Sequence, residues 1–172
     1  KYTAEAERIR EVIAEYGQFE AHSLDEAYID ITDRVRDRAA TADPSLAVGA
    51  AAVGEAAVAE ELVAEMRARI KEKTNGLTAS AGIAPNFALA KLAADERKPD
   101  GQFLVPRVTE ELLHWLHPKP VRKLGGVGKV TEKMLQALGV ALVGDVERLK
   151  VDIALAFSPL RTEWLLSRAK GV

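Results

Sequence analysis

Apolar and polar residues alternate along this chain with two periods, and the change between them divides it. In residues 2–16, Ala6, Ile9, Val12, Ile13 and Tyr16 recur at helical spacing with charges between them. Gly17 ends that helix. FEAHS (19–23) and AYIDI (27–31) alternate with period two around LDE, which predicts two strands meeting at a tight connection. Residues 39–59 are rich in Ala, Gly and Val and are broken by Pro44, Gly49 and Gly54, the pattern of a mobile loop leading into a helix. That helix is expected to run to about Lys73 and to bury Val58, Leu62, Met66 and Ile70. LTASAGIA (77–84) reads as a strand of small residues. APN (84–86) opens a helix with Phe87, Leu89 and Leu92 on its apolar side, KPDG (98–101) is a turn, and QFLVP a last short strand. From Thr109 onward only helical patterns occur, at 109–116, 129–138, 142–149, 152–157 and 160–170. The switch predicts a boundary near Pro106, with domains at 1–106 and 107–172.

Composition narrows the class. The chain has 172 residues, 48% hydrophobic and 29% charged, which is a globular profile with room for one domain or two small ones. No apolar run is long enough to span a bilayer, so no membrane partner is expected. With no cysteine there is neither a disulfide framework nor a thiolate metal site. The net charge of −2 argues against a polyanionic partner until its distribution is considered. Residues 119–172 carry ten Lys and Arg against five Asp and Glu, leaving fourteen basic against twenty-one acidic residues elsewhere. A basic C-terminal part attracts polyanions even in a slightly acidic chain.

Three constellations carry candidate chemistry. Asp25 and Glu26 are adjacent, and in a regular strand they would face opposite ways. At a hairpin end the alternation lapses and both can serve one site, where paired carboxylates suit Mg²⁺. A solvated turn is the bland alternative for such a dipeptide. VRKLGGVGKVTEKMLQALGV (121–140) reads as helix, GGVG, helix. Its glycines allow a tight hairpin whose amides, with the following helix N-terminus, would bind one phosphate without regard to base. Lys123, Lys129 and Lys133 flank it. A plain αα-hairpin is the alternative. In AGIAPNFALAKLAADERKPDGQF (81–103), Lys91 and Lys98 are surface lysines taken singly, but beside metal-binding carboxylates a lysine can hold a triphosphate. His22, His114 and His117 read as structural, and Trp115 and Trp164 as core.

Together SLDEAYIDIT, SAGIAPNFALAKLAADERKPDGQF and GGVGKVTEKMLQALG resemble the Y-family translesion DNA polymerases. The wording is closest to the DinB/kappa branch, particularly its eukaryotic members. The resemblance implies an α+β fold, a partial palm with an antiparallel or mixed sheet and packed helices, followed by a small all-α helix-hairpin-helix thumb. It implies that Asp25 and Glu26 are catalytic metal ligands, that Ser23 fixes their turn, and that Lys98 approaches the incoming nucleotide's phosphates. Gly126, Val127 and Gly128 match the thumb hairpin that grips the DNA backbone, with Lys129 assisting. Two Mg²⁺ ions, with Mn²⁺ as a substitute, dNTP and primer-template DNA are the implied cofactors and partners, and a sliding clamp would engage other regions. A nuclear location is expected, with mitochondrion and bacterial cytoplasm or nucleoid as alternatives. Complete members also carry an earlier strand with a further catalytic Asp, fingers, and a C-terminal little-finger domain. None is recognisable in residues 1–172, so the chain is expected to be inactive alone and to self-associate through an exposed sheet edge. Two other readings stand beside this one. A non-catalytic helix-hairpin-helix module that binds DNA backbone explains residues 119–172 but not SLDEAY, and a nucleotide cyclase explains the carboxylates but not the hairpin.

Overall fold

The computed structural model describes residues 2–42 and 48–172. They form two compact units, Lys1–Ile83 with Ala93–Leu104, and Ala84–Leu92 with Val105–Val172. Residues 84–92, expected with the first domain, therefore group with the second.

In the first unit, helix α1 (Tyr2–Ala14) leads into strands β1 (Gln18–Ala21) and β2 (Ala27–Asp30), which pair antiparallel with Gln18 opposite Asp30 and Ala21 opposite Ala27. Helix α2 (Thr32–Ala42) follows, then α3 (Val48–Lys73). The loop expected at 39–59 is corrected here: residues 39–42 close α2 and residues 48–59 lie within α3. Alanine is the strongest helix former, and its run outweighs the cost of about 1 kcal/mol for each of Gly49 and Gly54. Pro44 lies outside the described residues.

Val58, Leu62, Met66 and Ile70 recur every fourth residue of α3 and are all buried, as their spacing requires. They meet Val12, Ile13 and Tyr16 at the end of α1 and Val35 of α2, and the half-buried Phe19, Ile29, Ile31, Ala81 and Ile83 pack against the same cluster. Tyr16 adds a polar tie. Its hydroxyl donates to Glu65 Oε1 (2.8 Å), Glu65 Oε2 accepts from Arg38 (2.9 Å), and Arg34 donates to the Glu15 carbonyl (2.8 Å).

β3 (Ala81–Ile83) and β4 (Gln102–Leu104) form a separate parallel pair, with Gly82 opposite Phe103. Among the described residues the strands thus form two two-stranded sheets rather than one mixed sheet. The segment 77–84 contributes only its last part to a strand. Between β3 and β4 runs α4 (Phe87–Ala94), whose N-terminal turn is capped by Asn86 Oδ1 accepting from Leu89 N (3.0 Å). Leu89 and Leu92 are buried, but Phe87 is 50% exposed, because it is the first residue of the helix and sits off the buried stripe.

The second unit is helical: α5 (Thr109–Leu116), a 3₁₀ turn (Val121–Lys123), α6 (Lys129–Ala137), α7 (Val143–Arg148), α8 (Lys150–Ala156) and α9 (Pro159–Ala169). Ser158 caps α9 by accepting from Arg161 N, with Pro159 in the first turn, where a missing N–H is harmless. The core is Leu116, Val121, Leu135, Val140, Val143, Val146, Ile153 and Leu165, each at most 1% exposed. Across the base of the hairpin segment, Val121 N donates to Ala141 O (2.9 Å) and Val143 N to Lys119 O (2.8 Å), which fastens its two ends together. The helix expected before GGVG is only the 3₁₀ turn, since Leu124 is already extended and two glycines follow it.

Candidate functional site

Pairing of β1 with β2 stops at Ala21 and Ala27, which leaves residues 22–26 as the connection. The two-residue alternation of a strand therefore does not govern Asp25 and Glu26. His22 N and Ser23 N both donate to Glu26 O (2.9 and 3.1 Å), drawing the turn closed. Ser23 Oγ donates to Asp25 Oδ1 (2.8 Å), and Arg10 of α1 reaches Ser23 O (3.5 Å). Residues 22–27 are exposed, so both carboxylates stand at the surface on a rigidly bonded turn.

Lys98 belongs to the same unit. Its ammonium pairs with Asp95 (2.7 Å), and that contact holds its pKa above the usual lysine value, with the charges of Glu26 and Asp25 adding to the effect. Lys98 thus lies within the field of both turn carboxylates. The turn that carries it is tightly built. Asp100 adopts φ 51° and accepts from Arg67 Nη2 (2.7 Å) and Lys71 Nζ (3.3 Å). A β-carbon on Gly101 would lie 2.0 Å from Arg97 O, so only glycine fits there. Arg67, with 14% of its side chain exposed, also donates from Nε to Ala79 O (2.8 Å) and from Nη1 to Gln102 Oε1 (3.2 Å). Lys91 groups with the other unit.

Among the described residues no three His, Asp or Glu side chains are arranged to hold a metal. Two exposed carboxylates on one turn nevertheless fit Mg²⁺, which takes one or two protein carboxylates and completes its shell with water and substrate phosphate. His22 packs edge-on against Tyr28, with ring centres 5.5 Å apart.

In the second unit Gly126 has φ +96°, and a β-carbon there would approach Trp164 Cζ2 to 2.8 Å. Gly128 differs: at φ −81° and ψ 173° it is the N-cap of α6, and a β-carbon would meet only Arg122 Nη1 at 4.0 Å. Val127 is buried beneath the hairpin. Gly125, Gly128 and Lys129 are exposed. Trp115 and Trp164 are half-buried rather than fully enclosed, because each carries a cation on its ring: Lys119 Nζ at 4.2 Å and Arg161 at 4.4 Å.

The family model for impB/mucB/samB proteins matches residues 1–95, and that for the IMS family HHH motif matches residues 109–140. The chain belongs to the impB/mucB/samB family. Within it, this is a stretch of the DinB type of Y-family polymerase, and the α+β fold with a helix-hairpin-helix unit agrees with that placement. DNA polymerase IV of Stenotrophomonas maltophilia (strain R551-3) is 38% identical over 174 residues, covering 100% of this chain and 43% of the relative. Human DNA polymerase kappa is 41% identical over 108 residues, 63% of this chain and 12% of the relative. A solved insertion ternary complex of Dbh DNA polymerase superimposes with a TM-score of 0.78 at 26% identity, over 99% of this chain and 44% of that one. The chain therefore spans less than half the length of the proteins it matches.

Asp95, Arg67, Arg122 and Arg161 were not singled out from the sequence. The i, i+3 spacing of Asp95 and Lys98 was the one local cue; the arginines gave none, since their partners lie up to 35 residues away.

Proposed function

We propose that these residues are the carboxylate-bearing part of the palm and the thumb of a DNA-directed DNA polymerase active in translesion synthesis. The reaction is transfer of a nucleotide from dNTP to a primer 3′-hydroxyl. The observation that carries the reading is the 22–26 turn, which presents Asp25 and Glu26 together with Lys98 in their field. Asp25 and Glu26 would hold Mg²⁺, or Mn²⁺ in its place. An ion held there would supply charge neutralisation at the transferred phosphoryl group and activation of the primer hydroxyl.

The remaining chemistry belongs to the chain itself. Ser23 keeps Asp25 in one rotamer, so its oxygens are oriented before substrate arrives. Lys98 stays protonated and offers a point charge to the triphosphate. Of Gly126, Val127, Gly128 and Lys129, the hairpin that would hold the backbone of primer-template DNA, Val127 is buried with its amide donating to Leu124 O (3.0 Å) and supports the turn, while the others offer amides and one ammonium. Such contacts read no sequence, which suits an enzyme that must pass damaged template. The Stenotrophomonas relative matches the whole chain and human kappa 63% of it, so the site of action is wherever chromosomal DNA lies in either kind of cell.

The test is Asp25→Asn in a polymerase carrying this stretch, with primer extension and DNA affinity measured separately. Extension should fall by orders of magnitude while DNA affinity holds. Unchanged extension would instead favour a non-catalytic hairpin module.

A further inference from the structure

The amides of the first turn of α6 have no partner within the helix, and Gly128, as N-cap, has no side chain to offer one. Four nearby acceptors could fill that role and would then compete with a phosphate. They are the carbonyls of Gly126 and Val127, the Thr131 hydroxyl and the Glu132 carboxylate. Each is engaged by an arginine. Arg161 of α9 donates through Nη2 to Gly126 O (2.8 Å) and Thr131 Oγ1 (3.2 Å). Arg122 donates to Val127 O (2.7 Å) and pairs with Glu132 at 3.6 Å. Arg161 is itself fixed, lying 4.4 Å from the ring centre of the same Trp164 on which Gly126 rests.

We propose that Arg161 and Arg122 are positioning residues of the hairpin. They tie its carbonyls and the acceptors of the first helical turn, so that the amide donors of α6 are left for a DNA phosphate. The inference rests on the backbone-binding reading of the hairpin. It differs from ordinary charge attraction because Arg122 reaches its two acceptors through separate nitrogens, and Arg161 bonds two acceptors through Nη2 while its guanidinium lies over Trp164, neither of which a compact lysine ammonium reproduces.

The test compares R161K, R122K and R161Q with the unaltered 172-residue chain. Fluorescence anisotropy of a labelled primer-template duplex gives affinity between 50 and 200 mM salt. Amide hydrogen exchange is measured without DNA. R161K and R122K keep the charge, and we expect each to weaken binding by about tenfold, as for loss of a charge-assisted bond, with the salt dependence unchanged. The amides of residues 129–131, which have no partner within the helix in the parent, should exchange more slowly as the released acceptors engage them, while those of the buried Ile153 and Leu165 hold their protection. Binding by R161K equal to the parent would overturn the proposal in favour of charge alone. A salt slope shallower by about 0.9 in R161Q would overturn it in favour of direct phosphate contact. Unchanged exchange in the hairpin would overturn it too. If the parent chain itself bound no DNA, the backbone-binding reading would fail, and the exchange data would still decide whether the arginines hold the hairpin.

Discussion

Gly126 rests on the indole of Trp164, so closely that a β-carbon at Gly126 would lie 2.8 Å from the ring. Its φ of +96° adds backbone strain for any other residue. Gly126→Ala should therefore destabilise the helical unit by about 1–3 kcal/mol and shift tryptophan emission. Gly128→Ala should cost less, about 0.5–1 kcal/mol for alanine at the N-cap, because its backbone is ordinary and nothing lies closer than 4.0 Å. Urea unfolding of the two variants measures the contrast. Equal losses would mean that the hairpin needs both glycines for its backbone.

Asp95 holds Lys98 at 2.7 Å, and a triphosphate bound to Lys98 would sit beside that carboxylate. Asp95→Asn removes a like charge from the nucleotide's neighbourhood. The pair is half-exposed, so the effect is small: KM for dNTP should fall by up to about fivefold in a polymerase carrying this stretch. Lys98→Ala should raise KM. A raised KM in Asp95→Asn would show instead that the pair orients Lys98. The bond to Asp95 raises the pKa of Lys98, so loss of nucleotide affinity through its deprotonation should come only at a pH above that of an ordinary lysine.

Arg67 joins Ala79 O, Asp100 and Gln102 with three separate nitrogens. Arg67→Met takes this donor from the half-buried Ala79 O and Gln102 Oε1, Asp100 keeping Lys71, and should cost about 2 kcal/mol, read from urea denaturation. Arg67→Lys should recover less than half of that, since an ammonium cannot reach the three directions. Full recovery by lysine would mean that charge alone matters here.

Asp145 accepts from Ala141 N (3.0 Å) and Leu142 N (2.8 Å) at the start of α7 and pairs with Arg148. Leu142 has no side-chain acceptor, so the cap is one-sided. These bonds, the one from Leu142 first, lower the Asp145 carboxyl from 3.8 to about 2. A lowered folded-state pKa gives stability that is complete above the unfolded value and fades as pH falls through the folded one. Asp145→Ala should thus cost about 1–2 kcal/mol at pH 6, with the difference shrinking below pH 4 and vanishing near pH 2. A difference independent of pH would place the effect in packing rather than in the ionised cap.

Much of this protein follows from local pattern. The fourth-residue repeat of Val58, Leu62, Met66 and Ile70 sets the buried face of α3, because helix period and burial are properties of neighbouring residues. Ser158-Pro159 starts α9 and Asn86 caps α4 for the same reason. Asp25, Glu26 and the GGVG hairpin were recognisable as units because turn chemistry is carried by a few adjacent residues. Residues 39–42 and 48–59 misled, since glycine punctuates a sequence more visibly than a long alanine run supports a helix.

Tertiary structure alone decided which distant groups meet. Arg67 reaches across 35 residues to Gln102 and Arg161 across 35 to Gly126, and such pairings depend on how helices pack rather than on spacing. Lys98 entered the field of Asp25 and Glu26 in the same way. The physical reason is one of range. Hydrophobic period and backbone preference act over a turn or two of chain, whereas a guanidinium finds its acceptors only after folding has brought separate segments to hydrogen-bond distance.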